Sequence, residues 1–349
     1  MLKPAVLLIS ALMFVGCGQQ NDVEDMLDDY SLRVSRVLDI EQPKAMFPAI
    51  PAFPPRRARL QPTTEIREGL LDVLKLKHCG LLPMIAERNS SLGKVYTPAS
   101  RLIYELKFYQ GIRSCAQLLQ DDPATDRDLI QQVSEILRLK QLNLPAELWN
   151  GIYTATEIEQ HFALSAAPLA RDNNPSPSAP MQTLLFATQA ALNNQQINAE
   201  LIKQVEAAYA ELHQSEAGAQ ILQSLRLLTA YLNQTANIIE LRLAERPLCF
   251  QQQPTPQATI LRNVFQKYYA AAVQPYMAEV QRHASSWIGT HQQLWQLFEN
   301  EGVMPENMHN YRALWLGEQG LWRRYEQARN RHTEAWQQIL MQCGLMPSR

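Results

Sequence analysis

TILRNVFQKYYAAAVQPYMAEVQRHASSWIGTHQQLWQLFEN, residues Thr259–Asn300, decides the fold class of this chain. Ile260, Val264, Tyr268, Val280, Trp287, Leu294 and Phe298 recur at helical spacing over forty-two residues. That stripe predicts one long helix, bent at Pro275, with these seven side chains inward. Upstream, helices are expected over 181–192, 197–212 and 217–245, the last ended by Arg246-Pro247. Downstream, a final pair is expected over 310–316 and 318–341. No strand-like alternation of useful length occurs. The expected fold is all-α.

The amino-terminal half carries the same period. A helix over 22–40 places Val23, Met26, Leu27, Tyr30, Val34 and Val37 on one face, and Asp22, Glu24 and Asp25 suit its positive end. Pro43–Pro62 holds six prolines in twenty residues and reads as an extended strap. Its Arg56, Arg57 and Arg59 are expected either to touch anionic lipid or a partner, or to lie solvated along the body. Ile66, Leu70, Leu71, Val73, Leu74 and Leu76 then outline a helix ending near His78–Gly80, and a short one follows Pro83. Thr97-Pro98 opens another, through Leu102, Ile103, Leu106, Tyr109, Ile112 and Leu118. Further helices are expected over 126–142, 146–153 and 157–164, the last with a Thr154–Glu157 capping box. Proline-rich 168–180 is the expected linker. The organisation expected is therefore 17–62 as amino terminus, first helix and strap, 63–167 as one helical lobe, and 181–349 as a second.

The first sixteen residues are an address. Lys3 precedes an apolar run from Ala5 to Val15, too short to span a bilayer, and Phe14-Val15-Gly16-Cys17 closes it. That ending resembles a bacterial lipobox, with Phe14 where Leu is usual. Residues 1–16 are thus expected to be cleaved, and Cys17 to carry lipid. Gly18–Asn21 reaches at most about 14 Å, so the folded body should sit close to the membrane. Without Lys3 the 32 basic residues become 31 against 34 acidic, a formal −3, which lacks the basic excess that nucleic-acid binding calls for. Hydrophobic residues make up 46%, enough for a sizeable core, while only 13 glycines and few β-branched residues favour helix.

Cys79, Cys115, Cys249 and Cys343 remain once Cys17 is set aside. In an exported chain this even number implies two disulfides, with three possible connectivities. Cys79–Cys115 and Cys249–Cys343 are favoured, because each pair falls within one half of the chain.

Glu87-Arg88-Asn89-Ser90-Ser91-Leu92-Gly93-Lys94, followed by Pro98-Ala99-Ser100-Arg101-Leu102-Ile103-Tyr104-Glu105, is the most specific stretch. With Asp29–Val37 and Leu38-Asp39 before the strap, it resembles a family of Gram-negative lipoproteins catalogued only as a domain of unknown function. The resemblance covers nearly all of the mature chain. It implies an envelope lipoprotein and carries no catalytic residues across. Gly18, where Asp would favour inner-membrane retention, implies the outer membrane and its periplasmic face.

Ser91-x-x-Lys94 has the spacing of penicillin-binding enzymes, but Gly93 predicts a helix end there, and the companion motifs are missing. No nucleotide, serine-hydrolase, zinc-protease or di-iron fingerprint occurs, so no cofactor is expected. Glu279, His283 and His291 can share a helix face but lack a fourth ligand, and no metal is expected. Trp315, Trp322 and Trp336 fall at multiples of seven with Arg329 in the missing place. They form either a groove for a glycan or peptide or simply core. Glu87, Arg88, Asn89, Trp315, Trp322 and Arg329 are the candidate binding residues. The expected role is a lipid-anchored helical adaptor for an envelope protein or the cell wall. The alternatives are a cell-wall glycan- or peptide-processing enzyme and a small-molecule or lipid carrier.

Overall fold

The computed structural model describes residues 19–64, 76–171 and 178–346. The lipobox-like ending with Cys17, the helix expected through Ile66–Leu74 and the middle of the expected 168–180 linker lie outside the described residues. The fold is all-α: among the described residues only an isolated bridge, Phe250 to Gln253, departs from helix and loop.

Helix α1 (Gln19–Leu38) buries Val23, Leu27, Tyr30, Val34 and Leu38, spaced by three and four residues. The strap follows, with one turn of helix inside it, α2 (Arg56–Arg59). After α3 (Leu82–Asn89), α4 (Pro98–Asp121) starts as expected, the Thr97 hydroxyl accepting the Ser100 N–H. Leu118, expected inward, is 57% exposed, and Leu119 is buried instead.

Helix α5 (Arg127–Tyr153) is continuous where two helices were expected. Pro145 lies inside it and removes one backbone bond. Burial of Leu144 just before it and of Leu148, Trp149, Ile152 and Tyr153 just beyond offsets that loss. The 157–164 helix shrinks to α6 (Thr156–Glu159) and a 3-10 turn through Phe162. Its capping box is absent, because the Thr154 hydroxyl donates backwards to the Asn150 carbonyl.

Helices α7 (Ser178–Leu192) and α8 (Ala199–His213) lead to α9 (Ala217–Glu245), which is buried on nearly every face and forms the centre of the bundle. Helix α10 (Pro256–Val264) continues through a π-helical stretch, Phe265–Val273, into α11 (Gln274–Asn300). Two last helices, α12 (Glu306–Leu316) and α13 (Leu321–Gln342), close the chain, with α13 running against α9.

One continuous hydrophobic core runs from Val23 to Cys343 and takes residues from both sides of the 168–180 stretch. A second cluster between the far ends of α4 and α5 holds Cys115. Cys79 is bonded to Cys115, and Cys249 to Cys343, with Cα separations of 5.2 and 5.1 Å. Among the described residues, no helix is long and apolar enough to cross a membrane.

The strap is built into the body. Asn150 brackets the Gln61 backbone, accepting its N–H and donating to its carbonyl, both at 2.8 Å. Asn143, two turns earlier, does the same at Thr64, at 3.0 and 2.7 Å. Neither fate expected for the arginines fits Arg59, which is fully buried. Its guanidinium donates to the Tyr153 carbonyl and to Glu159, and lies 4.1 Å from the Phe53 ring centroid. Arg56 and Arg57 remain exposed.

Candidate functional site

The late tryptophans do not form one stripe. Gly317 and Gly320 interrupt the helix between Trp315 and Trp322, so the seven-residue spacing does not continue through space. Trp315 is core. Its ring packs 5.6 Å from Phe162 and 5.3 Å from Trp287, in an aromatic cluster that also takes in Phe53, Tyr311 and His291. Trp322 is half-buried against Tyr325.

Arg329 and Trp336, by contrast, meet at a cavity of about 300 Å³ between α13 and the π-helical stretch. The reason lies in Pro275. Its ring nitrogen donates no hydrogen bond, and the preceding turns widen so that the Gln274 N–H reaches back five residues to the Tyr269 carbonyl. The extra residue in the widened turns shifts the inward position by one at Tyr268 and at Ile260, while Val264 is buried as expected. Tyr269 and Leu261 therefore face inward in place of Tyr268 and Ile260, and Ile260 is 53% exposed. The inward stripe resumes as expected at Val280, Trp287, Leu294 and Phe298.

Phe265, Tyr269 and Met277 make one apolar wall of the cavity; Trp336, Leu340 and Met346 make the other. The Cys249–Cys343 disulfide lies three residues before Met346 and ties that end of the chain to the loop after α9. The indole N–H of Trp336 is turned away from the cavity, donating to Tyr30 Oη at 2.7 Å and His332 Nε2 at 3.2 Å. Tyr30 Oη in turn lies 2.7 Å from His332 Nε2, and donation from Tyr30 leaves the proton on Nδ1. Burial pushes the His332 pKa down to about 3, so the ring is neutral. Helix α1 thus braces the back of the cavity wall.

Around the rim lie Gln274, Arg329, Thr333 and Gln337. Arg329 is the one charged group among the described lining residues. Its Nη1 donates to the Gln281 amide oxygen at 3.1 Å, and Nε and Nη2 to that of Asn330 at 3.4 and 3.3 Å. These partners are neutral, and two of its five N–H donors are left over.

Glu87, Arg88 and Asn89 line no part of this cavity. They build a separate braced turn. Tyr96 donates to the Glu87 carboxylate at 2.6 Å, Arg88 donates to the Gly93 carbonyl at 2.5 Å, and the Ser90 hydroxyl bonds both the Glu87 carbonyl and the Gly93 N–H. Asn89 is exposed beside them. Gly93 is required, because a Cβ there would run into the carbonyls of Glu87 and Arg88. The turn holds Leu92 and Val95 outward, 77% and 74% exposed. Ser91 lies in it after the helix end, where no helix dipole can activate it.

The histidines also part company. His283 bonds Glu279 at 2.8 Å, whereas buried His291 faces Tyr153 Oη at 3.0 Å, its pKa lowered to about 3 by burial and by His161. Among the described residues no three metal-ligating side chains converge. The strap clasp and the cavity escaped sequence reasoning, since their partners lie far apart in the chain.

The family described as "Protein of unknown function (DUF3080)" matches residues 27–347. The chain belongs to this family. The DUF3080 match spans every element from the middle of α1 to the residue after Met346, and so includes both the braced turn and the cavity. Neither the curated proteins nor the solved structures contain a match.

Proposed function

We propose that the protein is a lipid-anchored helical adaptor on the periplasmic face of the outer membrane, engaging an envelope partner through the Glu87–Tyr96 turn. The observation that carries this reading is the construction of the turn. Four side-chain bonds and an obligatory glycine hold two large apolar side chains, Leu92 and Val95, in solvent. Ordering a loop costs conformational entropy, and exposing apolar side chains brings no folding stability. A rigid presentation of this kind suits a surface that receives another molecule. The anchor supports the same reading: α1 begins two residues after Cys17, and its buried stripe belongs to the main core. A lipid on Cys17 would hold the whole body at the membrane.

A photo-crosslinking amino acid at Leu92, in the protein expressed at its native level, tests the proposal. One discrete adduct with an envelope protein, lost in Val95→Asp, is the expected outcome. Absence of any adduct at Leu92 and Val95 would overturn the adaptor reading. The half-enclosed cavity beside Trp336 favours a second reading, a carrier of a small apolar molecule.

A further inference from the structure

We infer that the cavity between α13 and the π-helical stretch binds a short aliphatic carboxylate, with Arg329 holding the carboxylate and the aromatic walls holding the chain. The inference rests on the carrier reading and names its ligand.

Size comes first. About 300 Å³ corresponds to roughly ten water-sized volumes of about 30 Å³ each, which suits a ligand of about ten non-hydrogen atoms. An eight-carbon carboxylate has that count. The walls decide the chemistry of most of it. Phe265, Tyr269, Met277, Trp336, Leu340 and Met346 present ring faces, thioethers and methyl groups. The one strong donor in the Trp336 side chain is already committed to Tyr30 and His332, so that wall offers apolar surface alone. Two methionines among the lining residues suit a flexible chain, since unbranched thioether side chains repack around irregular apolar shapes.

The rim decides the other end. A neutral lining would take an alkane or an alcohol, but here one guanidinium stands among amides and a hydroxyl. Three of its donor positions meet amide oxygens, which fix the plane of the group without neutralising it. A planar fork with donors to spare matches a carboxylate, which can accept two parallel N–H bonds. No acidic side chain belongs to the described lining, so an anion entering there meets no repulsion within the cavity. The position relative to the membrane fits as well. Tyr30, which braces the wall, lies eleven residues from Gln19, roughly 17 Å of helix, and the proposed anchor Cys17 precedes Gln19 by two residues. Fatty acids released at a membrane surface would therefore be within easy reach.

The test uses the full mature chain carrying Cys17→Ser, titrated with octanoate, octanol and octylamine by calorimetry and by tryptophan fluorescence. Octanoate should bind one to one, at least about tenfold more tightly than octanol, because a charge-assisted bidentate contact is lost in the alcohol. Arg329→Gln should erase that difference while octanol binding stays unchanged. Met277→Trp should block both ligands, and Gln337→Trp replaces it if that variant fails to fold. If octanol or octylamine binds as tightly as octanoate, the carboxylate assignment is wrong while the carrier reading stands. If none of the three binds, both fall together.

Discussion

Asn150→Ala is the substitution that probes the strap most sharply. In the folded protein Asn150 makes two bonds to one residue, accepting the Gln61 N–H and donating to the Gln61 carbonyl, each at 2.8 Å. A buried side-chain to backbone bond is worth about 1 kcal/mol net, and more where its partner cannot reach water. Gln61 is half-buried, so the loss should be about 2–3 kcal/mol. Asn143→Ala removes the equivalent pair at Thr64 and should cost a similar amount. The two positions are seven residues apart on α5, roughly 10 Å, so their effects should nearly add. Asn150→Asp discriminates: it keeps the acceptor for the N–H but sets a carboxylate against the carbonyl, and should be no better than alanine. Urea denaturation gives the free energies. Trypsin gives the location, because Arg59 is sealed in the core and becomes cleavable only when the strap lifts. A loss under about 0.5 kcal/mol for the double alanine variant would refute the clasp.

Buried neutral histidines make a pH prediction. Both His291 and His332 have folded pKa values near 3 against 6.5 unfolded, so below pH 6.5 the unfolded chain binds more protons. Their contribution is full above pH 6.5 and declines as pH falls toward 3, by about 1.4 kcal/mol per pH unit for each. In His332→Met the slope of stability between pH 6 and pH 4, read by denaturation, should be shallower by about that amount; parallel slopes would refute it. Gly93→Val should cost about 1–3 kcal/mol through its clash with the α3 carbonyls and speed hydrogen exchange at the Lys94 amide, which bonds Ser90. Unchanged exchange there would count against the braced turn. Breaking Cys249–Cys343 opens a 94-residue separation and should destabilise by up to about 5 kcal/mol in Cys249→Ser/Cys343→Ser, measured by thermal melting. A melt like that of the parent would show that this staple is dispensable.

Local signals in the chain carried the helices well. Thr97-Pro98 and the three- and four-residue spacing of Val23, Leu27, Tyr30 and Val34 act within a turn or two, and the structure follows them. Helix α1, however, starts at Gln19, three residues earlier than expected, so that Asp22 alone of its acids falls in the first turn. Two prolines were harder, because the sequence cannot say how a missing N–H is absorbed. At Pro145 the helix simply continues, while at Pro275 it widens, and that one-residue shift exchanged Tyr268 for Tyr269 as the inward side chain. Arg59 shows the other limit. Its partner Glu159 lies a hundred residues later, so nothing near it in sequence distinguishes a buried guanidinium from a solvated one. The tryptophan spacing misled in part, since Gly317 and Gly320 end one helix and start another. Only Arg329 and Trp336 of that series share a site.

Intact-mass measurement of the protein recovered from its native envelope tests the anchored adaptor most directly. The expected species begins at Cys17 and carries the added mass of acyl groups on that residue. A chain that retains residues 1–16, or begins at an unmodified Cys17, would contradict the anchored adaptor.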